Sequence, residues 1–251
     1  MDRSLAVVIL AAGLGKRMKS NRAKVLHEVL GKPMVVYVVE AAIPVARKAV
    51  VVVVGNQAEE VQRVVACRAE VIFALQDQQL GTGHAVKCAL PHLPSMCEDV
   101  MVLCGDVPLI TTATLKALAD EHIQSKRDIT LLAVDLDHPH GYGRILLSPD
   151  GHVSGIVEEA DASQEQRAIR TINSGIYCIN RFFLEEALPR LTNANAQGEY
   201  YLTDIVRIGY ESGRNVGAAW ALYPNEILGV NTPQDLARVE EILEKRTADM
   251  A

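Results

Sequence analysis

Aromatic residues are scarce, eleven in 251 positions with a single Trp. A base-stacking platform for single-stranded nucleic acid needs more of them. Positive charge is not in excess either. Twenty-five Lys and Arg stand against 31 Asp and Glu, a formal charge of −6, so the composition offers no electrostatic grip on a nucleic-acid backbone. The cysteines number five, and no two of them show CxxC spacing. A disulfide framework and a zinc cage are therefore not expected, and a reducing, cytoplasmic setting fits. No apolar run approaches membrane-spanning length. The first, residues 5–12, has Lys16 and Arg17 after it rather than before it, the wrong charge order for a signal peptide. Neither a nucleic-acid nor a membrane partner is expected. Internal repeats, low-complexity tracts and long linkers are also lacking.

What is present is a regular alternation. Half of the chain is hydrophobic, 49%, which suits a folded globular protein. Short β-branched runs at residues 5–10, 50–54, 99–103 and 129–134 alternate with helical patterns, the signature of an α/β domain with a largely parallel sheet. Met34 to Val39 has strand propensity, but Pro33 suits the first position of a helix and Glu40-Ala41-Ala42 continues it, so helix is expected there. The second half reads differently. A hairpin turns at Ser148-Pro149-Asp150-Gly151, a strand covers 172–179, and helices cover 182–191 and 203–211. Thr232-Pro233-Gln234-Asp235 opens a last helix, with Thr as N-cap and an acid at N3, burying Leu236, Val239 and Leu243. Trp220 is expected in the core, and His27 and His84 are read as structural. One domain over residues 1–251 is expected: a nucleotide-binding half to about 136, a substrate half over about 137–231, and a C-terminal helix over about 233–247.

Gly13 and Gly15 follow the first strand, where a helix is expected to begin. There backbone N–H groups can hold phosphate oxygens. The loop is not a P-loop, which needs four residues between its glycines and then Lys-Ser/Thr; nor is it a dinucleotide fingerprint, since Met18 occupies the third glycine's place. It is trailed by Lys16, Arg17, Lys19, Arg22 and Lys24, five cations in nine positions of an acidic chain. The plain alternative for that run is a solvated basic helix face.

Leu10-Ala11-Ala12-Gly13-Leu14-Gly15-Lys16-Arg17-Met18, followed by Lys24-Val25-Leu26, resembles the signature of sugar-phosphate nucleotidylyltransferases. Further segments narrow the resemblance: Gln76 to Ala85, Gly105-Asp106-Val107-Pro108-Leu109, Gly141 to Ile145, Asn173-Ser174-Gly175-Ile176, Asn195 to Asp204, and Gly229-Val230-Asn231. Together, in register from about residue 5 to 240, they resemble the uridylyltransferase domains of bacterial bifunctional N-acetylglucosamine-1-phosphate uridyltransferases.

The resemblance implies a three-layer α/β/α fold with a Rossmann-like, mostly parallel mixed sheet. It also implies a reaction in which UTP and N-acetylglucosamine 1-phosphate give UDP-N-acetylglucosamine and pyrophosphate, with Mg²⁺. Such a reaction needs charge neutralisation and alignment rather than a catalytic triad, because a phosphate dianion is already a nucleophile. Arg17 and the Gly13–Gly15 amides would hold the β- and γ-phosphates, and Lys24 would bridge the two reacting phosphates. Asp106 and Asn231 would hold the metal, a carboxylate and a neutral amide oxygen, both hard ligands; taken singly, each is also an ordinary turn or capping residue. The base would meet Leu10, Ala11, Ala12, Gln76, Gly81 and Thr82, with Cys104 and Gly105 beside the site. A Gln amide can also flip to suit cytosine, so Gln76 alone does not exclude CTP. The sugar contacts would be Gly143, Glu158, Asn173, Tyr201 and Thr203.

Departures from the family pattern are Lys16 for Thr, Ala23 for a Pro before the reactive Lys, Glu159-Ala160 for a more basic pair, and Leu228 for an acid. The bifunctional family continues into an acetyltransferase β-helix that forms the trimer. No hexapeptide repeats occur here, so acetyl transfer is not expected and the trimer is in doubt. Two other readings stay open: transfer to another sugar 1-phosphate, and a non-catalytic nucleotide-sugar sensor.

Overall fold

The computed structural model describes residues 4–46 and 48–249. The first strand, β1 (Leu5–Ala11), is followed by two single 3-10 turns, Lys16–Met18 and Lys24–Leu26, and not by an α-helix. This corrects the expectation for the glycine loop: no helix axis points its positive end at a ligand there. A two-residue ribbon, β2 (Glu28–Val29) and β3 (Lys32–Pro33), leads into α1 (Met34–Ala46). That segment is helical despite its valines, because Val35, Val38, Val39 and Ala42 are fully buried against the sheet, and Met34 in a smaller cluster beside it. Tertiary packing overrides the weak β preference.

β4 (Val50–Val54) is buried on both faces, as a central parallel strand must be. α2 (Ala58–Ala66), β5 (Ile72–Leu75), α3 (Thr82–Ala89) and β6 (Asp99–Cys104) follow. α4 (Thr112–Ser125) is capped by the Thr111 hydroxyl, which accepts from the Thr114 N–H. Beyond β7 (Ile129–Asp135) comes the hairpin of β8 (Gly143–Leu147) and β9 (Val153–Val157), then the single turn α5 (Gln164–Arg167) and the long strand β10 (Thr171–Asn180). α6 (Arg181–Ala187) ends earlier than expected, in a 3-10 turn at Leu188–Arg190 that carries Pro189. α7 (Asp204–Glu211), β11 (Val216–Trp220) and α8 (Pro233–Asp249) complete the chain.

The sheet order is β11-β7-β10-β6-β1-β4-β5, with β8 and β9 extending from β10. Strands β1, β4, β5 and β6 are parallel; β10 runs antiparallel to both β6 and β7, making the sheet mixed. Period-two alternation divides the core in two. Val7, Ile9, Val52, Val54, Met101 and Leu103 pack with α1, α2 and α4. Ala6, Val8, Val51, Val53, Val100 and Val102 pack on the other face with α3, α6 and α7. The layers are therefore α/β/α, as expected.

Trp220 is the clear exception to the core expectation. It lies at the end of the edge strand β11, 58% exposed, with exposed Leu222 and Tyr223 beyond it. Among the described residues no helix is long and apolar enough to cross a membrane.

Candidate active site

Four chemically distinct side chains meet beyond the carboxyl ends of β1 and β6. Lys24 Nζ contacts the Asp106 carboxylate, and it donates to Asn231 Oδ1 at 2.6 Å. Arg17 donates to the same amide oxygen at 2.8 Å. The partners lie up to 214 positions apart in sequence. Backbone bonds set this meeting: the Gly105 N–H donates to the Leu10 carbonyl at 2.9 Å, and the Val230 N–H to the Asp106 carbonyl at 2.9 Å. The loop after β1, the loop after β6 and the chain entering α8 are thereby tied into one floor.

Gly15 is required there. Its φ is +60°, and a Cβ on it would stand 2.5 Å from the Lys24 Cβ. Removing a side chain at 15 is what lets Lys24 lie across the loop. The metal expectation can be tested on the same geometry. A carboxylate oxygen and an amide oxygen converge on one positive centre, with the Lys24 ammonium standing where a cation would be held. Among the described residues no cluster of three or more His, Cys, Asp or Glu could cage an ion. One carboxylate and one neutral oxygen, both hard ligands, fit Mg²⁺, which keeps few protein ligands and takes the rest from phosphate and water.

On one side of this cluster lies Gln76, only 3% exposed. Its amide nitrogen donates to the Gly81 carbonyl at 3.0 Å and lies 3.2 Å from His84 Nδ1. The Gly81 carbonyl can only accept, so flipping the amide would set two oxygens against each other. His84, read as merely structural, is thus part of what orients Gln76. Gly81, at φ +112°, turns the chain tightly against the backbone of Tyr200. The Thr82 hydroxyl accepts from the Leu202 N–H at 3.0 Å. Ala12 is tied to the next loop through the Asn56 N–H at 3.3 Å.

On the other side is a cavity of about 180 Å³ that Leu10, Thr82, Cys104, Gly143, Glu158, Asn173 and Thr203 help to line. Its shape depends on an irregularity in β10. The register slips between Asn173 and Tyr177, where Gly175 has φ +78°. Such a bulge re-aims side chains beside a site. Here it brings Asn173, Ser174, Gly175 and Tyr177 to the wall, and the Asn173 Oδ1 accepts from the Gly175 N–H at 3.1 Å. Glu158 accepts from the Thr203 hydroxyl at 3.0 Å. Burial raises its pKa, with Asp161, Asp204 and Glu199 adding to the rise against the Thr203 bond. Burial also pushes the Cys104 thiol up to about 12, so it stays protonated and is no nucleophile.

Tyr201 does not line this cavity. Its hydroxyl donates to Gln197 at 2.9 Å, with Asp161 at 3.3 Å. Tyr142, Ser174, Tyr177 and Leu202 line it without having been singled out. Tyr142 lies between two glycines in one of the family-like segments, a usable signal; Tyr177 has none and reads simply as a buried strand residue. Glu159, one of the departures, is paired with buried Arg144 at 2.7 Å and so supports the hairpin behind the cavity.

A sequence model of the MobA-like NTP transferase domain matches residues 7–175. The chain is 48% identical over 243 residues to the bifunctional protein GlmU of Geotalea uraniireducens, covering 97% of this chain and 53% of that protein. To the bifunctional protein GlmU of Heliobacterium modesticaldum it is 49% identical over 239 residues, covering 95% and 52%. The chain spans about half the length of the curated relatives it matches. A nucleotidyl transferase from Methanothermobacter thermautotroptrophicus superposes at a TM-score of 0.68 and 17% identity, covering 97% of this chain and 99% of that one. At that identity the likeness shows the fold alone. The glycine loop, the loop of Asp106 and β10 as far as its bulge fall inside the matched residues, the Asn231 loop does not, and the chain belongs to the family of MobA-like NTP transferase domains.

Proposed function

We propose that this chain is a Mg²⁺-dependent nucleotidyltransferase that moves UMP from UTP to N-acetylglucosamine 1-phosphate, releasing pyrophosphate. The observation that carries the reading is the convergence of Arg17, Lys24, Asp106 and Asn231 from separate segments onto one point. Two polyanions that repel one another can meet only where positive charge is concentrated and fixed.

In this reading a phosphate oxygen of the sugar phosphate attacks the α-phosphorus of UTP. The new P–O bond forms as the α–β bridge breaks and pyrophosphate leaves, so no proton has to be removed from the nucleophile. Arg17 and the backbone N–H groups of Gly13 and Gly15 hold the β- and γ-phosphates and take the charge that builds on the leaving group. Lys24 spans the entering and the α-phosphate. Asp106 and Asn231 would hold Mg²⁺, which when bound offsets the negative charge shared by the reacting phosphates.

Base choice is supported by the fixed Gln76 amide. With its nitrogen donating to the Gly81 carbonyl, its oxygen is the atom left for the base. An acceptor suits the N3–H of uracil; cytosine offers another acceptor at that position. Glu158, Asn173 and Gly143 around the cavity offer polar groups for sugar hydroxyls and an acetamido group. The test is pyrophosphate release from UTP with N-acetylglucosamine 1-phosphate or glucose 1-phosphate, each with and without Mg²⁺. Release with the first sugar only, and only with metal, is the expected result. No release with either overturns the reading, and faster release with glucose 1-phosphate moves it to another sugar.

A further inference from the structure

The loop that delivers Lys24 has no regular structure between the 3-10 turns at Lys16–Met18 and Lys24–Leu26, yet Lys24 must be placed to within a fraction of an ångström to bridge two phosphates. Something has to hold it. Ala23, immediately before Lys24, has φ −54° and ψ 137° and is fully buried. These are the angles of a polyproline turn, which a proline ring would fix covalently. Alanine carries no such restraint, but it keeps an N–H, and that N–H donates to Gln57 Oε1 at 2.7 Å. The other end of the same amide, Gln57 Nε2, donates to the Asn21 carbonyl at 2.7 Å. One side chain thus grips the loop at two backbone atoms on either side of residue 22.

Gln57 comes from the far loop after β4, at the entrance to α2, where it occupies left-handed backbone with φ 53° and ψ 43°. That conformation is costly for a residue with a side chain and persists only where its surroundings demand it. Both of these side-chain hydrogen bonds of Gln57 go to the loop backbone and neither to Arg17, Lys24, Asp106 or Asn231.

We infer that Gln57 is a positioning residue for the reaction, clasping residues 21 and 23 so that Lys24 is held rigidly, a task proline would otherwise perform. The inference rests on the role given to Lys24 under the proposed function. Holding Lys24 matters most when charge builds between the phosphates, so the clasp acts on kcat more than on UTP binding.

The experiment combines kinetics with amide exchange at residue 23. Gln57→Ala is expected to lower kcat about ten-fold while KM for UTP stays within about two-fold, and to speed exchange of the Ala23 N–H about ten-fold. Gln57→Glu keeps an acceptor for that N–H but loses the donor to the Asn21 carbonyl, so exchange at residue 23 should stay slow while kcat falls only part of the way towards that of Gln57→Ala. Ala23→Pro added to Gln57→Ala should restore kcat to within about three-fold of the parent, since the ring replaces the lost restraint. Parental kcat together with parental exchange in Gln57→Ala overturns the inference, as does a folded double variant that regains nothing. If the double variant does not fold, the exchange rate in Gln57→Ala decides. Exchange does not depend on substrate, so an inactive parent would count against the proposed reaction and leave the clasp to be judged on exchange alone.

Discussion

Lys24 carries two relationships at once, and they predict different things. Its ion pair with Asp106 is only partly buried, with both side chains 15–20% exposed, so removing the ammonium leaves a carboxylate that water can reach. The stability cost is that of a partly buried pair that water still screens, about 1 kcal/mol. On the proposed role the catalytic cost is larger, because Lys24 is the cation assigned to span the reacting phosphates. Lys24→Ala is expected to lower kcat by about 10² or more with a melting temperature close to the parent's, measured by steady-state pyrophosphate release and thermal unfolding. Glu158 behaves in the opposite sense. Burial raises its pKa above the ordinary 4.5, so the folded chain binds this proton more tightly than the unfolded chain does. Stability is therefore highest at low pH on this account and is lost as pH rises from about 4.5 through the raised folded value. Glu158→Gln removes that loss. The variant should unfold at higher denaturant than the parent near neutral pH, with the difference closing at acid pH, while its turnover with the sugar phosphate falls. An unchanged difference across pH would show that Glu158 is solvated after all. Residue types of this kind were legible in the chain, since a Lys, an Asp and an Asn in loops announce their chemistry. Gln57 and His84 were not, because their importance lies in what they hold, and that depends on a neighbour brought in by the sheet.

Elements were legible where burial and capping agree. The five valines of β4 and the Thr111 cap of α4 are such cases. Elements were less legible where one side of the argument was hidden. The loop after Gly13 looked like a helix start because its cations and glycines fit one; the structure spends that stretch on two single turns, leaving the amides exposed to a ligand and the lysine side chain free to cross the loop. Trp220 looked like core by hydrophobicity alone, and nothing in the local pattern of β11 reveals that it forms the edge of the sheet. The start of α8 is the opposite case. Asp235 accepts from the N–H groups of Asn231 at 2.9 Å and Thr232 at 2.8 Å, and donates through its own N–H to the Thr232 hydroxyl at 3.2 Å. This reciprocal cap stabilises the helix, and it also fixes the backbone of Asn231. Asp235→Ala is expected to cost about 1 kcal/mol and to raise the Mg²⁺ concentration needed for half-maximal activity. A metal titration on the folded variant checks this; a stability loss with an unchanged metal requirement would mean that Asn231 is held from elsewhere.

At the scale of the molecule, the site exists because α8 returns to the beginning of the chain. Val239, 1% exposed, packs into a small separate core with Met18, Val29, Met34, Leu109 and Val230. Glu240 accepts from the Leu30 N–H at 2.8 Å, and Arg246 donates to the Leu109 carbonyl at 3.0 Å. This third cluster touches the glycine loop through Met18, the ribbon through Val29 and the metal-side loop through Val230. It is therefore the part of the hydrophobic core whose loss separates Arg17 and Lys24 from Asn231 while leaving the two large clusters intact. Val239→Ala should leave a small cavity there and cost about 2 kcal/mol. The sharper expectation concerns linkage. A ligand that needs both chain ends stabilises the fold by RT ln(1 + [L]/Kd), about 2.7 kcal/mol at a hundred-fold excess over Kd. UTP with Mg²⁺ should raise the melting temperature of the parent, and raise that of Val239→Ala by less at the same concentrations, because part of the binding energy goes into re-closing the site. An equal rise in both proteins would place the nucleotide entirely on the first half of the sheet, with the C-terminal helix as a bystander.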